Sequence, residues 1–290
     1  MNMLISVFIF LSALNIFLSI TASVGNALIL LSLHKKTSLY PPTKLLFRCL
    51  AVTDLCVGII VQPLGSVLRL FTTGTYWKNT STLHQLHHAL SFTLYGVSVF
   101  TSSAISLDRL LVLFSGLKYK HVVTLRRVRA VIICFWLIGA SCGSMFFFKS
   151  KIAFTVVFVL IVISISTSVL SYAKIYRKLR RYQLQVYTDP QGQPSRRQVP
   201  MNIARYKKSV SSVLWVQLAT VICYIPFIVV VMFMKYGRMR RKIFEITVDV
   251  TATLAYLKSS LNPILYCWRI RAVQQAAKET IKKLICCKTV

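Results

Sequence analysis

Seven long apolar segments constrain the fold of this chain of 290 residues more than any other feature. A bilayer core about 30 Å thick is crossed by about 20 apolar residues in a helix, which bonds all of its own backbone groups. The segments run over residues 4–33, 45–71, 86–113, 128–148, 152–173, 209–234 and 243–266. They predict an all-α membrane protein, a seven-transmembrane helix bundle. The first segment lacks a basic start and is far longer than the apolar core of a signal peptide, so we treat it as a span.

Charge is concentrated between the spans. The chain has 36 Lys and Arg against 6 Asp and Glu, a net charge of +30, but only 14% of its residues are charged, whereas about 25% are charged in a soluble domain. A nucleic-acid-binding protein is not favoured, because the charge lies in loops between apolar spans. Loops 34–48, 109–129, 174–208 and 269–288 hold 26 of the 36 basic residues. The positive-inside rule makes these loops cytoplasmic and predicts a multi-pass plasma-membrane protein with an outside N-terminus and a cytoplasmic C-terminus.

The loops also divide the chain into two predicted regions. Residues 1–268 form the seven-transmembrane domain, with a third cytoplasmic loop at about 177–207 that is rich in Pro, Gly and charge. Residues 269–290 form an amphipathic helix on the inner leaflet and a short cytoplasmic tail, since apolar residues recur there at spacings of three and four.

Two kinds of covalent modification are predicted. Cys286 and Cys287 follow the amphipathic helix and are palmitoylation candidates, with a reduced cytosolic cysteine pair as the alternative. Asn79 begins a glycosylation sequon and is a glycosylation candidate, because it falls in a loop that the topology places outside.

Short motifs occur in order on successive spans. They are Gly25-Asn26, Leu50-Ala51-Val52-Thr53-Asp54, Asp108-Arg109-Leu110, Trp136, Tyr172, Cys223-Tyr224-Ile225-Pro226 and Asn262-Pro263-Ile264-Leu265-Tyr266. Each motif is weak alone, but the ordered set is specific, and the chain resembles the rhodopsin-like (class A) G-protein-coupled receptors over nearly its whole length. The resemblance implies a receptor, not an enzyme, that converts binding of an extracellular ligand into activation of a heterotrimeric G protein. It implies no cofactor.

Three departures from the family pattern bear on the subgroup. His84 stands where the third helix usually has a disulfide-forming Cys, and the second outside loop, 149–151, has no Cys. Ser164 stands where the fifth helix usually has a proline. These features look most like melanocortin receptors, within a wider cluster of adenosine, cannabinoid and lysophospholipid receptors.

A polar site is predicted near the middle of the membrane. Asp54 lies in the second span, where an unpaired carboxylate is costly. In the family the matching Asp binds sodium with help from positions that correspond to Ser98 and Asn262, and Asn26 of the first span completes the set. Lys258 is four residues before Asn262 and shares its helix face, so its ammonium can act as a tethered cation in place of sodium. The alternative is that Lys258 snorkels outward or is deprotonated.

The resemblance makes Arg109 the pivot of activation and a G-protein contact, with Asp108 as the acid beside it. Many receptors restrain this arginine with an acid on the sixth helix, but Tyr206 occupies that position here, so we expect high ligand-free signalling. Leu117 resembles the apolar residue that receptors press into a G protein; alternatively it lies on lipid headgroups. The other activation positions implied by the resemblance are Tyr172, Tyr224, Pro226, Asn262, Pro263 and Tyr266.

The resemblance also implies a ligand pocket, with candidates Ser91, Tyr95, Tyr224, Phe227 and Tyr256. Receptors for amines hold the ligand ammonium with an Asp at the position of Ser91, so a monoamine is not expected. Five of the nine outside basic residues lie within 235–242, which favours an anionic small-molecule, lipid or peptide ligand. The alternative is that this basic cluster attaches to anionic headgroups or matrix.

Three histidines, His84, His87 and His88, lie at the outer end of the third span. His84 and His88 are spaced to share a metal, but two ligands make a poor zinc site, and we expect no metal. The three histidines are therefore expected either to lie at the membrane interface without a specific role or to sense protons.

The alternative function is a seven-helix transporter or proton-handling protein, in which Asp54 and Lys258 form a relay. A substrate flux that depends on both residues would distinguish it from a receptor. The predicted partners are a G protein, an extracellular ligand and membrane lipids, with no nucleic acid.

Overall fold

The fold is given by a computed structural model, which describes residues 2–34, 39–73, 81–145, 147, 151–187, 215, 218–226, 229–230, 233, 241–269, 274–275 and 277–279. Nearly all of these residues are helical, and none of them is in a strand. The prediction of an all-α fold is confirmed for this part of the chain.

Helices make up most of the described part of the chain. In chain order they are α1 (Asn2–His34), α2 (Pro41–Cys56), a π-helical turn (Val57–Val61), α3 (Gln62–Thr73), α4 (Ser81–Ser115), a 3₁₀ turn (Gly116–Lys118), α5 (Tyr119–Val122), α6 (Leu125–Ser144), α7 (Lys151–Tyr187), α8 (218–226) and α9 (Arg241–Arg269). The second predicted span is therefore made of α2, the π turn and α3 together.

Four of the described helices are long and apolar enough to cross a membrane. They cover Ser6–His34, Pro41–Leu70, Thr82–Ser115 and Phe158–Arg181, and they coincide with the first, second, third and fifth predicted spans. Large apolar side chains on the outer faces of the helices are exposed, among them Phe17, Leu137, Ile163 and Ile264, each more than half accessible. Such surfaces are rare on soluble monomers but are the expected lipid contact of a bundle.

A buried apolar cluster joins α1, α2, α4, α7 and α9 at the end of the bundle that carries Asp108. Its fully or nearly fully buried members include Ile29, Leu33, Leu46, Phe47, Leu50, Ile105, Leu113, Tyr172, Ile175 and Tyr266. Close packing of this kind resists small shifts. It therefore fixes where the last turn of α4 meets the first turn of α2.

The π turn brings the second span close to α1. The Ser19 hydroxyl donates 2.6 Å to the Gly58 carbonyl, and a methyl group on Gly58 would lie 2.7 Å from Ser23 Oγ. Gly58 is therefore required by the close approach of the two helices. After the turn, Gln62 is completely buried, and its side-chain amide has no hydrogen-bond partner among the described residues.

Two segments differ from the expectation from sequence. Helix α7 continues to Tyr187 and so enters the region assigned to the third cytoplasmic loop, 177–207, because residues 177–185 are mostly strong helix formers. The connection between α4 and α6 contains α5, which no apolar periodicity indicated.

Several predicted features lie outside the described residues: Asn79, Tyr206, Phe227, the basic residues 235–240, and Cys286 and Cys287. Of the predicted amphipathic helix, only 274–275 and 277–279 are described beyond Arg269; all five are helical, and Ala277 is buried.

Candidate functional site

Asp54 is at the centre of a completely buried polar cluster. Its Oδ1 accepts hydrogen bonds from Ser98 Oγ at 3.2 Å and from Ser259 Oγ at 2.9 Å, and its Oδ2 accepts one from Asn262 Nδ2 at 2.5 Å. Helices α2, α4 and α9 each supply part of the cluster, because each turns one polar face towards the others. The structure thus brings together the residues predicted for the mid-membrane site.

Lys258 supplies the cation of this cluster. Its Nζ lies 3.5 Å from Asp54 Oδ1 and also donates to Ser98 Oγ. The side chains of Lys258 and Asp54 are 0% and 1% exposed. Lys258 therefore points into the bundle and does not snorkel. The two side chains are thus placed as an ion pair between α2 and α9.

Asn26 ties the first helix to the same site. Its Nδ2 donates 3.1 Å to the carbonyl of Ser259 on α9 and 2.9 Å to the carbonyl of Ala22 on its own helix. Ser259 was not among the predicted residues. A signal for it existed, because Ser259 is three residues before Asn262 and so lies on the same face of α9.

A second buried carboxylate, Asp108, lies towards the C-terminal end of α4. Arg109 Nη2 lies 2.8 Å from its Oδ2, Thr43 Oγ1 donates 3.0 Å to the same oxygen, and the Tyr119 hydroxyl donates 2.5 Å to its Oδ1. We call Asp108, Arg109, Thr43 and Tyr119 the cytoplasmic acid cluster, after the side of the membrane on which the sequence predicts this end of the bundle. Its members come from α2, α4 and α5, so the cluster connects three helices.

Tyr119 is held in place by its ring as well as its hydroxyl. The ring lies 5.4 Å from that of Tyr40, whose hydroxyl donates 3.1 Å to the carbonyl of Val123. Burial, followed by the adjacent Asp108 carboxylate, raises the pKa of the Tyr119 phenol well above its ordinary value. Tyr119 therefore stays a neutral hydrogen-bond donor at any physiological pH.

The remaining predicted activation residues occupy several places. Leu117 is the middle residue of the 3₁₀ turn that follows α4, after Gly116, whose φ of 48° favours glycine. Tyr172 and Tyr266 are buried in the apolar cluster near Asp108, where Tyr266 packs edge-on against Phe47. Pro263 lies inside α9.

Three tyrosines meet on the side of the Asp54 cluster that faces away from Asp108. The ring of Tyr95 lies 6.0 Å from that of Tyr224 and 6.0 Å from that of Tyr256. The hydroxyl of Tyr224 is buried and has no hydrogen-bond partner within the described residues. Ser91 lies one turn outward from Tyr95, and its hydroxyl donates 2.6 Å to the carbonyl of His87. Four of the five predicted pocket residues are thus near one another along α4, α8 and α9.

The outer end of this region is polar. Arg69 on α3 forms an ion pair with Asp249 on α9. The Tyr256 hydroxyl lies 3.5 Å from His87 Nε2, and a methyl group on Gly65 would come 2.7 Å from the same nitrogen. Glycine at position 65 therefore lets the backbone of α3 pass close to the His87 ring. Over the described ranges no three His, Cys, Asp or Glu side chains are placed to hold a metal.

Comparisons with known proteins agree with the arrangement of helices. The family model described as "7 transmembrane receptor (rhodopsin family)" matches residues 25–153 and 142–266. Melanocortin receptor 4 of Danio rerio is 22% identical over 295 residues, which cover 99% of this chain and 85% of that protein. Histamine H2 receptor of Cavia porcellus is 22% identical over 303 residues, 96% of this chain and 80% of that protein.

A third relative carries no ligand in its name. Probable G-protein coupled receptor 63 of Mus musculus is 23% identical over 318 residues, which cover 96% of this chain and 73% of that protein. The three relatives span the chain at similar identity, so they support the family as a whole and favour no subgroup within it.

Proposed function

The chain belongs to the rhodopsin family of seven-transmembrane receptors, and from that premise we propose how its parts act. It is a multi-pass membrane receptor, not an enzyme, that responds to an extracellular ligand and acts through a heterotrimeric G protein. The transporter considered from the sequence is set aside, since the family consists of receptors.

We propose that Arg109 is the side chain that passes the signal to the G protein. The observation that carries this proposal is its position: the guanidinium pairs with Asp108, and its side chain is 14% exposed at the surface of the bundle. An arginine that pairs with a buried acid at the edge of the protein can exchange that acid for a partner that arrives from outside. Leu117, eight residues later in the 3₁₀ turn that follows α4, would provide an apolar contact for the same partner.

Nucleotide exchange tests the proposal. Arg109→Ala should abolish ligand-stimulated GTP uptake by purified G proteins while the receptor still folds and reaches the cell surface. Arg126→Ala is the matched control, because Arg126 is an exposed arginine at the start of α6 on the same side of the membrane. Equal losses in both variants, or full activity of Arg109→Ala, would contradict the role of Arg109.

The orientation is proposed with the N-terminus outside, supported by the 26 basic residues of the loops assigned to the cytoplasm. It puts the cytoplasmic acid cluster on the G-protein side and the tyrosine pocket on the ligand side. An epitope tag at each terminus, detected on intact and on permeabilised cells, tests this orientation.

The ligand pocket is proposed between Tyr95, Tyr224 and Tyr256, with Ser91 and Phe227 at its border. The Tyr224 hydroxyl, for which the described residues supply no partner, supports this choice, because a buried polar group without a partner is costly unless a ligand or water bonds it. Tyr224→Phe should weaken the response to the ligand, whereas Tyr176→Phe, an exposed tyrosine of α7, should leave it unchanged. A normal response in Tyr224→Phe would exclude a hydrogen bond from this hydroxyl to the ligand.

An anionic ligand is proposed for this pocket. The support is the basic cluster at 235–242 together with the absence of an acid at position 91. Replacing Arg238, Arg240 and Arg241 with Gln should lower ligand potency, more at low salt than at high salt, since salt screens such fields. Replacing the outside residues Lys78, Lys149 and Lys151 with Gln removes the same charge elsewhere and serves as the control. A cationic ligand, or potency unchanged at low salt, would end the proposal.

We infer that Lys258 takes the place that a sodium ion holds beside the matching Asp in related receptors. Four side chains on the described helices already donate to the Asp54 carboxylate, which has about four acceptor positions in all. A separate cation would therefore have to displace one of them. Ligand affinity should be nearly the same in sodium and in a large organic cation at equal ionic strength. A strong sodium effect on the unaltered receptor would contradict this inference.

A further inference from the structure

Lys178 connects α7 to the end of α4, at the end of the bundle that carries Asp108. Its Nζ donates 2.9 Å to the carbonyl of Leu113 and lies 4.1 Å from the centre of the Phe114 ring. Leu113 is buried, whereas Phe114 is exposed. One side chain of α7 thus contacts two consecutive residues in the last turn of α4, which ends at Ser115.

The position of the Lys178 ammonium suits the C-terminal end of a helix. The last four carbonyl groups of an α-helix have no partner within the helix, and the carbonyl of Leu113 is among them in α4. A cation at this end is also stabilised by the partial negative charge of the helix dipole. The Phe114 ring adds a cation–π contact, because an ammonium within about 6 Å of the ring centre is attracted to its face. Lys178 therefore caps α4 from a second helix.

The helix that supplies Lys178 is fixed by packing against α4. Ile175 is almost completely buried and Leu179 is partly buried, and both belong to the apolar cluster that contains Leu113. Residues three and four apart share one face of a helix, so Ile175, Lys178 and Leu179 lie on the face of α7 that meets α4. The ammonium is therefore held by a packed helix, and its contact with α4 does not depend on a loop.

The end of α4 leads directly into the segment proposed to meet the G protein. Gly116, with its φ of 48°, begins the 3₁₀ turn in which Leu117 is the middle residue. Arg109 is one turn before Leu113 on the same helix. A contact that restrains Leu113 and Phe114 therefore restrains the backbone between Arg109 and the turn.

We propose that Lys178 is a positioning residue for activation of the G protein. By capping α4 it orders the turn Gly116–Lys118 before the G protein arrives. A turn that is ordered in advance lowers the entropy cost of docking, so it lowers the G-protein concentration that is needed more than it changes the rate at saturation. The inference rests on the proposed function, because it assumes that this turn meets the G protein.

The test measures GTP uptake catalysed by the full-length, ligand-free receptor in nanodiscs, as a function of the concentration of purified G protein. Lys178→Met keeps most of the side-chain stem and removes the ammonium. The KM for the G protein should rise by about fivefold, while kcat changes by less than about twofold. Lys178→Arg should restore the KM of the unaltered receptor, since a guanidinium can donate to the carbonyl of Leu113 and stack on the Phe114 ring.

Lys174→Met is the matched control, because Lys174 is an exposed lysine one turn earlier on α7 and its loss removes the same charge. Its KM should stay within about twofold of that of the unaltered receptor. Equal rises in Lys178→Met and Lys174→Met would mean that general positive charge attracts the G protein, and would overturn the proposal. An unchanged KM in Lys178→Met, or a rise that Lys178→Arg does not reverse, would overturn it as well.

Hydrogen exchange separates ordering of the turn from direct contact between Lys178 and the G protein. Without G protein, the backbone amides of residues 115–119 should exchange faster in Lys178→Met than in Lys174→Met or the unaltered receptor. A raised KM with unchanged exchange would mean that Lys178 contacts the G protein itself, and the positioning role would fail.

Leu117→Ala distinguishes a failure of this inference from a failure of the proposed function. If Leu117→Ala raises the KM for the G protein and Lys178→Met does not, the proposed contact stands and only the role of Lys178 is overturned. If Leu117→Ala leaves the KM unchanged, the proposed contact is overturned, and the inference that rests on it is overturned too.

Discussion

The receptor contains two buried aspartates whose surroundings differ in one respect. Asp54 and Asp108 are both almost inaccessible, and each accepts hydrogen bonds from three or more side chains within the described residues. The cation of Asp54 is Lys258, 204 residues away in sequence and completely buried. The cation of Asp108 is Arg109, the next residue, which reaches the surface.

This difference separates a fixed element from a movable one. Lys258 has no route to water and can leave Asp54 only if the bundle opens, because a buried charge without a partner is strongly disfavoured. Arg109 can turn away from Asp108 and be solvated or bound by another protein. The mid-membrane pair is thus part of the architecture, and the cytoplasmic pair is suited to switching.

The largest effect is expected for Lys258→Met, which removes the buried cation at nearly constant volume. The free energy of unfolding should fall by about 3–5 kcal/mol, the usual loss when one partner of a buried ion pair is removed. Thermal unfolding of the purified receptor in a large organic cation measures this loss. Sodium chloride should restore part of it, since a bound ion stabilises the folded form by mass action.

The double variant Lys258→Met with Asp54→Asn is the control for this experiment. The altered site carries no buried charge that needs a partner. The double variant should therefore have a higher free energy of unfolding than Lys258→Met alone, and its unfolding temperature should not change with sodium. If Lys258→Met unfolds at the temperature of the unaltered receptor in both salts, the Asp54–Lys258 pair contributes no stability and is not a fixed element of the fold.

A smaller effect on stability but a clear effect on signalling is expected for Asp108→Asn. Loss of the negative charge frees Arg109, so GTP uptake by the G protein without ligand should rise several-fold, while the free energy of unfolding falls by only about 1–3 kcal/mol. Asp249→Asn, which removes the outer ion pair with Arg69, should leave ligand-free GTP uptake unchanged. A fall in basal activity in Asp108→Asn would mean that the Asp108–Arg109 pair is needed for activation and does not restrain it.

An intermediate effect is expected for Tyr119→Phe, because it removes one hydrogen bond from Asp108 and keeps the ring against Tyr40. Ligand-free GTP uptake should rise, but by less than in Asp108→Asn. Since the raised pKa keeps the phenol protonated, the difference between Tyr119→Phe and the unaltered receptor should stay constant from about pH 6 to pH 9.

Tyr40→Phe is the control for Tyr119→Phe. It removes a tyrosine hydroxyl that donates 3.1 Å to the carbonyl of Val123, but it leaves the hydrogen bonds of Asp108 intact. Equal signalling by the two phenylalanine variants would show that Tyr119 acts through loop packing alone.

The smallest effect is expected for Thr43→Val, which replaces the hydroxyl with a methyl group of similar shape. The hydrogen bond that is lost, to Asp108 Oδ2, is the longest of the three that Asp108 accepts, at 3.0 Å. Its removal should lower the free energy of unfolding by about 1 kcal/mol. Thr53→Val, whose hydroxyl bonds only to the carbonyl of Leu50 on its own helix, gives the background for such a change. A larger loss in Thr53→Val than in Thr43→Val would show that the bond to Asp108 adds nothing.

The sequence predicts the mid-membrane site better than the cytoplasmic one for a physical reason. Lys258 and Asn262 are related by one turn of a helix, so their common face follows from spacing alone. Tyr119 reaches Asp108 only because a 3₁₀ turn and α5 fold back under α4. That path depends on tertiary packing and leaves no periodic pattern. The π turn at 57–61 could not be predicted from the sequence either. Its residues are a short apolar run without a helical periodicity, so the change from α to π leaves no mark in the pattern.

The sequence separation of the mid-membrane pair has a consequence for the synthesis of the receptor. Translation at about 5–20 residues per second takes roughly 10–40 s to pass from Asp54 to Lys258. During that time the second helix holds a carboxyl group in or near the membrane without its partner. A chain that ends before the seventh span never gains that partner, so the ion pair makes the stability of the first half depend on completion of the second. Truncated chains are then the natural targets of degradation.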